Sequence, residues 1–84
     1  MLTLRPVTRV VDAPAKAGLK KTGWFAGVKA GLLPPPFRLS ERCCVVYDDE
    51  IAAVVAARAA GRSDEQVRAL VAQLVAARQE EVAA

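Results

Sequence analysis

The stretch Lys20-Lys21-Thr22 puts two ammonium groups and a hydroxyl side by side, and Arg38, Ser40 and Arg42 alternate around Glu41 further on. Such groups donate hydrogen bonds and carry positive charge, which suits anionic oxygen better than proton transfer or nucleophilic attack. Asp48, Asp49 and Glu50 are adjacent and have the chemistry of a metal or acid–base site. The sequence offers them no complementary ligand or base, so they are read as the capped, acidic start of a helix. With no histidine, no paired reactive groups and no glycine-rich phosphate loop, the chain is not expected to be an enzyme, and no cofactor or metal is expected. Cys43 and Cys44 are neighbours, poor geometry for a structural disulfide, and read as reduced thiols on opposite faces of a strand.

Charge is distributed unevenly along the 84 residues. Residues 1–42 hold eight basic side chains against two acidic ones, a balance of +6, and the remainder holds four against seven, a balance of −3. The basic half points to a polyanion partner, with a solvated surface as the alternative. A chain of this length supports one small core, burying about 60 to 65% of its unfolded surface. Trp24, Phe25, Phe37 and Tyr47 are the only aromatic residues, so aliphatic side chains must supply most of that core. No apolar run approaches the roughly 18 to 20 residues of a membrane span, and a soluble, cytoplasmic protein is expected.

Local signals divide the chain. Residues 1–9, interrupted by Pro6, form either a flexible basic arm or an edge strand. Asp12-Ala13-Pro14 predicts a helix start with Asp12 as N-cap, and that helix stops at Gly18. A second helix runs from Lys20 or Lys21 to about Ala30, with Gly31 as its left-handed cap. The prolines at 34–36 cannot continue a helix, and residues 36–39 and 43–47 predict two strands joined by a turn at residues 40–42. Asp48 and Asp49 should cap a third helix with a stripe of Ile51, Val54 and Val55, ended by Gly61. Ser63 and Gln66 spell a capping box for a fourth, whose Val67, Leu70, Val71, Leu74 and Val75 form one apolar stripe. That stripe either packs on the chain's own core, the favoured reading, or shares in dimerisation.

In this order, Gly18-Leu19 in a turn, then Gly31, Leu33, Pro34, Pro36 and Leu39, then Arg42, Glu50 and Ile51, the chain resembles the AlpA-like and excisionase-like small bacterial and phage proteins. The resemblance covers roughly residues 10–57. It implies a MerR-like winged helix-turn-helix, a mostly α domain with a small β-hairpin over residues 10–61. An N-terminal arm (1–9) precedes that domain, and an additional C-terminal amphipathic helix (62–84) extends beyond the resemblance. It further implies a DNA-binding regulator or excisionase whose second helix enters the major groove and whose wing reaches a neighbouring groove or phosphates.

On that resemblance the DNA-contacting residues are Lys20, Lys21, Thr22, Lys29, Arg38, Ser40 and Arg42. The family's Ser-Arg-Ser-Thr helix opening is Lys20-Lys21-Thr22-Gly23 here, and its following tyrosine and arginine are Phe25 and Ala26, which implies phosphate-dominated binding with modest base selectivity. Tryptophans of the family stand as Val46 and Val54, leaving space for Trp24. The expected partners are double-stranded DNA, a second copy as homodimer or cooperative array, and an integrase, recombinase or RNA polymerase. From a different class, the alternative is a protein-interaction adaptor with a degenerate DNA-binding face. Its partner would bind the C-terminal helix through Val67, Leu70, Val71, Leu74 and Val75.

Overall fold

A computed structural model describes residues 5–83, with side chains up to residue 80. Their element order is β1 (Val7–Arg9), α1 (Ala13–Lys16), α2 (Lys21–Lys29), β2 (Phe37–Ser40), β3 (Cys43–Tyr47), α3 (Asp48–Ala59) and α4 (Asp64–Ala83). The result is a small mixed fold of four helices and a three-stranded antiparallel sheet in the order β1-β3-β2. The hairpin is therefore wider than expected. Of the two readings open for residues 1–9, residues 7–9 form an edge strand, Val7 opposite Tyr47 and Arg9 opposite Val45, while residues 1–4 of the arm lie outside the described residues.

Three helices end by the same device. Gly18, Gly31 and Gly61 take φ of 72°, 79° and 81°, a region that costs a residue with a Cβ. After α2, the Gly31 N–H donates to the Val28 carbonyl at 3.1 Å and the Leu32 N–H to the Gly27 carbonyl at 2.9 Å, the paired bonds of a Schellman cap. At the start of α4 the capping box forms as expected, Gln66 N–H donating to Ser63 Oγ at 3.3 Å and Ser63 N–H to Gln66 Oε1 at 3.0 Å.

The expected caps of α1 and α3 do not form. Asp12 occupies the N-cap position without a side-chain cap bond, its backbone at φ −98° and ψ −14° lying outside the extended region that a side-chain cap uses, while its N–H closes a turn onto the Arg9 carbonyl at 2.9 Å. Strand β3 passes into α3 without a loop, so Tyr47 is the N-cap and Asp48, Asp49 and Glu50 fall inside the first helical turn. There they still oppose the positive end of the helix dipole, but their oxygens bond elsewhere.

Trp24 is fully buried at the centre of the core, in one cluster with Ala13, Leu33, Val46, Ile51, Val54, Val67 and Val71. Val46 and Val54 belong to the same cluster as the indole. Its N–H has no acceptor among the described residues. Burying a ring of about 150 to 250 Å² is worth about 4 to 6 kcal/mol, which exceeds the roughly 1 to 3 kcal/mol of an unmade hydrogen bond. Phe25, about 100° around the helix, is 44% exposed. Val55, expected in the α3 stripe, is 45% exposed, because Ile51 and Val54 alone face the core.

Val67 and Val71 of α4 are buried and Leu74 and Val75 pack against the same cluster, with Leu70 half-buried. Four of the five stripe residues thus meet the chain's own core, with Leu74 and Val75 still partly exposed. Cys43 and Cys44 are free and both half-buried, opposite the register shift between Arg38 and Ser40.

The two glycines inside α2 differ in what surrounds them. A Cβ on Gly23 would lie 3.8 Å from Leu19 Cδ2, an ordinary contact, whereas on Gly27 it would lie 2.5 Å from Leu33 Cδ1 and 3.0 Å from its Cγ. Gly23→Ala should raise stability by up to about 1 kcal/mol through helix propensity, and Gly27→Ala should lose that gain because buried Leu33 cannot withdraw freely. Urea unfolding midpoints of the two variants check this.

Candidate nucleic-acid interface

The basic side chains fall into two groups according to what holds them. Arg5 bonds Asp49, its Nε to Oδ2 at 2.9 Å and Nη2 to Oδ1 at 2.6 Å, and lies 3.6 Å from Glu50 Oε2. Its guanidinium also stacks 3.6 Å from the centroid of the Tyr47 ring. Lys16 Nζ donates to Asp48 Oδ2 at 3.1 Å, alongside the Thr8 hydroxyl on Oδ1. Arg58 pairs with Asp64 at 2.8 Å, and Arg68 Nε donates to the Ala30 carbonyl at 2.9 Å, closing the end of α2 from α4.

Arg78 is the most engaged of these. Its Nε lies 3.1 and 3.0 Å from the two Glu50 oxygens, Nη2 bonds Oε1, and Nη2 also donates to the Pro35 carbonyl at 3.0 Å. The same guanidinium sits 5.0 Å from the Phe37 ring centroid, and the Phe37 and Tyr47 rings tilt together at 4.9 Å. Glu50 is 1% exposed, a burial that a carboxylate tolerates when it is paired and fully hydrogen-bonded.

The second group is Arg9, Lys20, Lys21, Lys29, Arg38, Arg42 and Arg62, all exposed and without an ion pair among the described residues. It contains every cation expected to contact DNA. Lys20 is the N-cap of α2 and Lys21 and Thr22 open its first turn, so their side chains stand at the positive end of the helix, where an anion is favoured. Lys29 closes the same helix, Arg38 and Ser40 lie on β2, and Arg42 lies in the turn leading to β3. Arg9, on β1, shares this exposure without being singled out in the sequence, and Arg62 lies between α3 and α4, away from α2 and the sheet. Alternation in the short segment Val7-Thr8-Arg9, where only Thr8 is buried, was the available signal for Arg9.

An apolar groove of about 320 Å³ separates α2 from α3, lined by Leu19, Gly23, Gly27, Leu33, Val54 and Val55 among others. Leu19 and Val55 are its exposed rims. Comparisons of the chain with protein-family models, with curated proteins and with solved structures find no match.

The acidic cluster has consequences for stability. The Thr8 hydroxyl first and Lys16 second hold the Asp48 carboxyl below its ordinary 3.8, and the Arg5 guanidinium does the same for Asp49. A depressed carboxylate stabilises the fold fully above its unfolded value and loses that contribution as pH falls through the folded one. The melting temperature should therefore hold above about pH 4 and fall below it, and Asp48→Asn with Asp49→Asn should flatten that acid limb. Arg78→Ala, which strands the buried Glu50 carboxylate, should cost about 3 kcal/mol in urea unfolding. A paired Glu50→Leu, Arg78→Leu variant should recover much of it.

Proposed function

We propose that this chain is a cytoplasmic DNA-binding regulatory protein of the winged helix-turn-helix kind, resembling the AlpA-like and excisionase-like proteins. In this reading α2 presents Lys20, Lys21 and Thr22 to duplex DNA, and the β2–β3 hairpin serves as the wing carrying Arg38, Ser40 and Arg42. The observation that carries it is the sorting of cations. Arg5, Lys16, Arg58, Arg68 and Arg78 are consumed by carboxylates and carbonyls, while all those on α2 and the hairpin, along with Arg9 and Arg62, have no ion pair among the described residues. Unpaired, solvated cations are free to displace the counterions of a phosphate backbone without first breaking an internal bond. The Arg68 bond to Ala30 and the Schellman cap fix the far end of α2, so the lysines ride on a positioned helix and not on a loose turn.

With lysines where the family has a serine and an arginine at the helix opening, affinity in this reading is mostly electrostatic, and selectivity comes from DNA shape and from repeated copies. Whether the role is transcriptional regulation or directing recombination is a matter of the partner, an RNA polymerase or an integrase. For the adaptor reading, Val67 and Val71 of the α4 stripe are buried, while Leu70, Leu74 and Val75 keep part of their surface exposed. The groove between α2 and α3, with its exposed Leu19 and Val55, is the surface that favours it.

Fluorescence anisotropy of a labelled duplex, titrated across about 50 to 200 mM salt, separates the two. Affinity should fall steeply with salt, and Lys20→Ala with Lys21→Ala should lower the slope of log K against log salt by about two. Absence of salt-dependent binding even at low ionic strength overturns the DNA reading.

A further inference from the structure

The three-stranded sheet is polarised along its strands. One end holds Tyr47 and Phe37, covered by the guanidinium groups of Arg5 and Arg78 and their carboxylates. The other end is the hairpin tip, and β1 runs towards it: Arg9 stands opposite Val45, in the same row as Phe37, and the Val10 N–H donates to the Cys44 carbonyl at 2.9 Å, one row nearer the tip. Arg38 stands opposite Cys44 on the far side of β3, and Arg42 lies in the turn. Arg9 and Arg38 therefore flank the same two residues of the central strand, two interstrand spacings or about 10 Å apart. Successive rows of a strand face opposite ways, so Arg9, in the Val45 row, and Arg38, in the Cys44 row, project from opposite faces.

We propose that Arg9 completes a phosphate-binding edge with Arg38 and Arg42, so that the wing is three strands wide and carries cations on both faces and at its tip. The proposal rests on the DNA reading and adds to it a residue outside the domain boundaries drawn from the sequence. A polyanion with charged walls on two sides, as the two phosphate strands form along a DNA groove, is the ligand that such an arrangement fits. Two acidic side chains are near in sequence, Asp12 across the turn from Arg9 and Glu41 beside Arg42. Both are exposed and neither pairs with these arginines. They leave the edge cationic while limiting its overall charge.

The test is the same anisotropy salt series with Arg9→Gln, Arg9→Lys and, as an equally exposed and unpaired cation off the sheet, Arg62→Gln. Arg9→Gln should lower the salt slope by about one and weaken binding severalfold, Arg9→Lys should keep the slope, and Arg62→Gln should match the parent. In the parent protein, backbone amide shifts of Arg9, Val10 and Arg42 should move on adding unlabelled duplex, a readout independent of any variant's folding. If the parent binds DNA with a steep salt slope but Arg9→Gln leaves it unchanged, or Arg62→Gln lowers it equally, the proposal fails while the DNA reading stands. If the parent shows no salt-dependent binding, both fail.

Discussion

A buried carboxylate, Glu50, ties together parts of the chain that are far apart in sequence. Arg78 reaches it from 28 residues away on α4 and simultaneously holds the Pro35 carbonyl, while Arg5 approaches from the other side, bound to Asp49. A charge so placed is costly unless it is paired, so α4, the proline segment and the N-terminal strand must all be docked for the carboxylate to be tolerated. The hairpin's orientation relative to α3 and α4 therefore depends on this cluster more than on the few apolar residues at its base. Tyr47 and Phe37 add their rings to the same place, with the guanidinium groups stacked over them.

The prolines acquire a definite role in that arrangement. They stop the chain from re-forming a helix after Gly31 and hold it extended, with Pro34 buried. Pro35 presents a carbonyl that accepts from Arg78. The segment is at once a spacer between α2 and the hairpin and an acceptor that fixes α4. Arg68 does the corresponding work at the C-terminal end of α2 itself by bonding the Ala30 carbonyl. The C-terminal helix thus acts as a brace for both elements proposed to meet DNA, a fuller use of its length than a dimerisation stripe.

This economy also explains why the small core suffices. Trp24 provides most of the bulk in a cluster of otherwise aliphatic side chains, and Gly27 lets Leu33 close over α2. The groove left beside Gly23 is the counterpart of that close approach. A helix carrying two glycines is weak on its own and depends on its buried tryptophan and on its tethered C-terminus.

The sequence by itself determined the local grammar: where α1, α2 and α3 end, the capping box of α4, the hairpin, and the stripe of α4. These are settled by interactions within about four residues, glycine at positive φ or a serine and a glutamine three apart, and their signals survive without the rest of the fold. The cations on α2 and the hairpin were legible for the same reason, since exposure at a helix start or turn is a local property. Only the tertiary structure decided where Asp48, Asp49 and Glu50 direct their oxygens, that Arg5 is consumed while Arg9 is not, and that residues 7–9 complete the sheet. Those outcomes join groups 28 to 44 residues apart. Charge pairing at that range is set by which surfaces the packed elements bring together, and no spacing within the sequence encodes it.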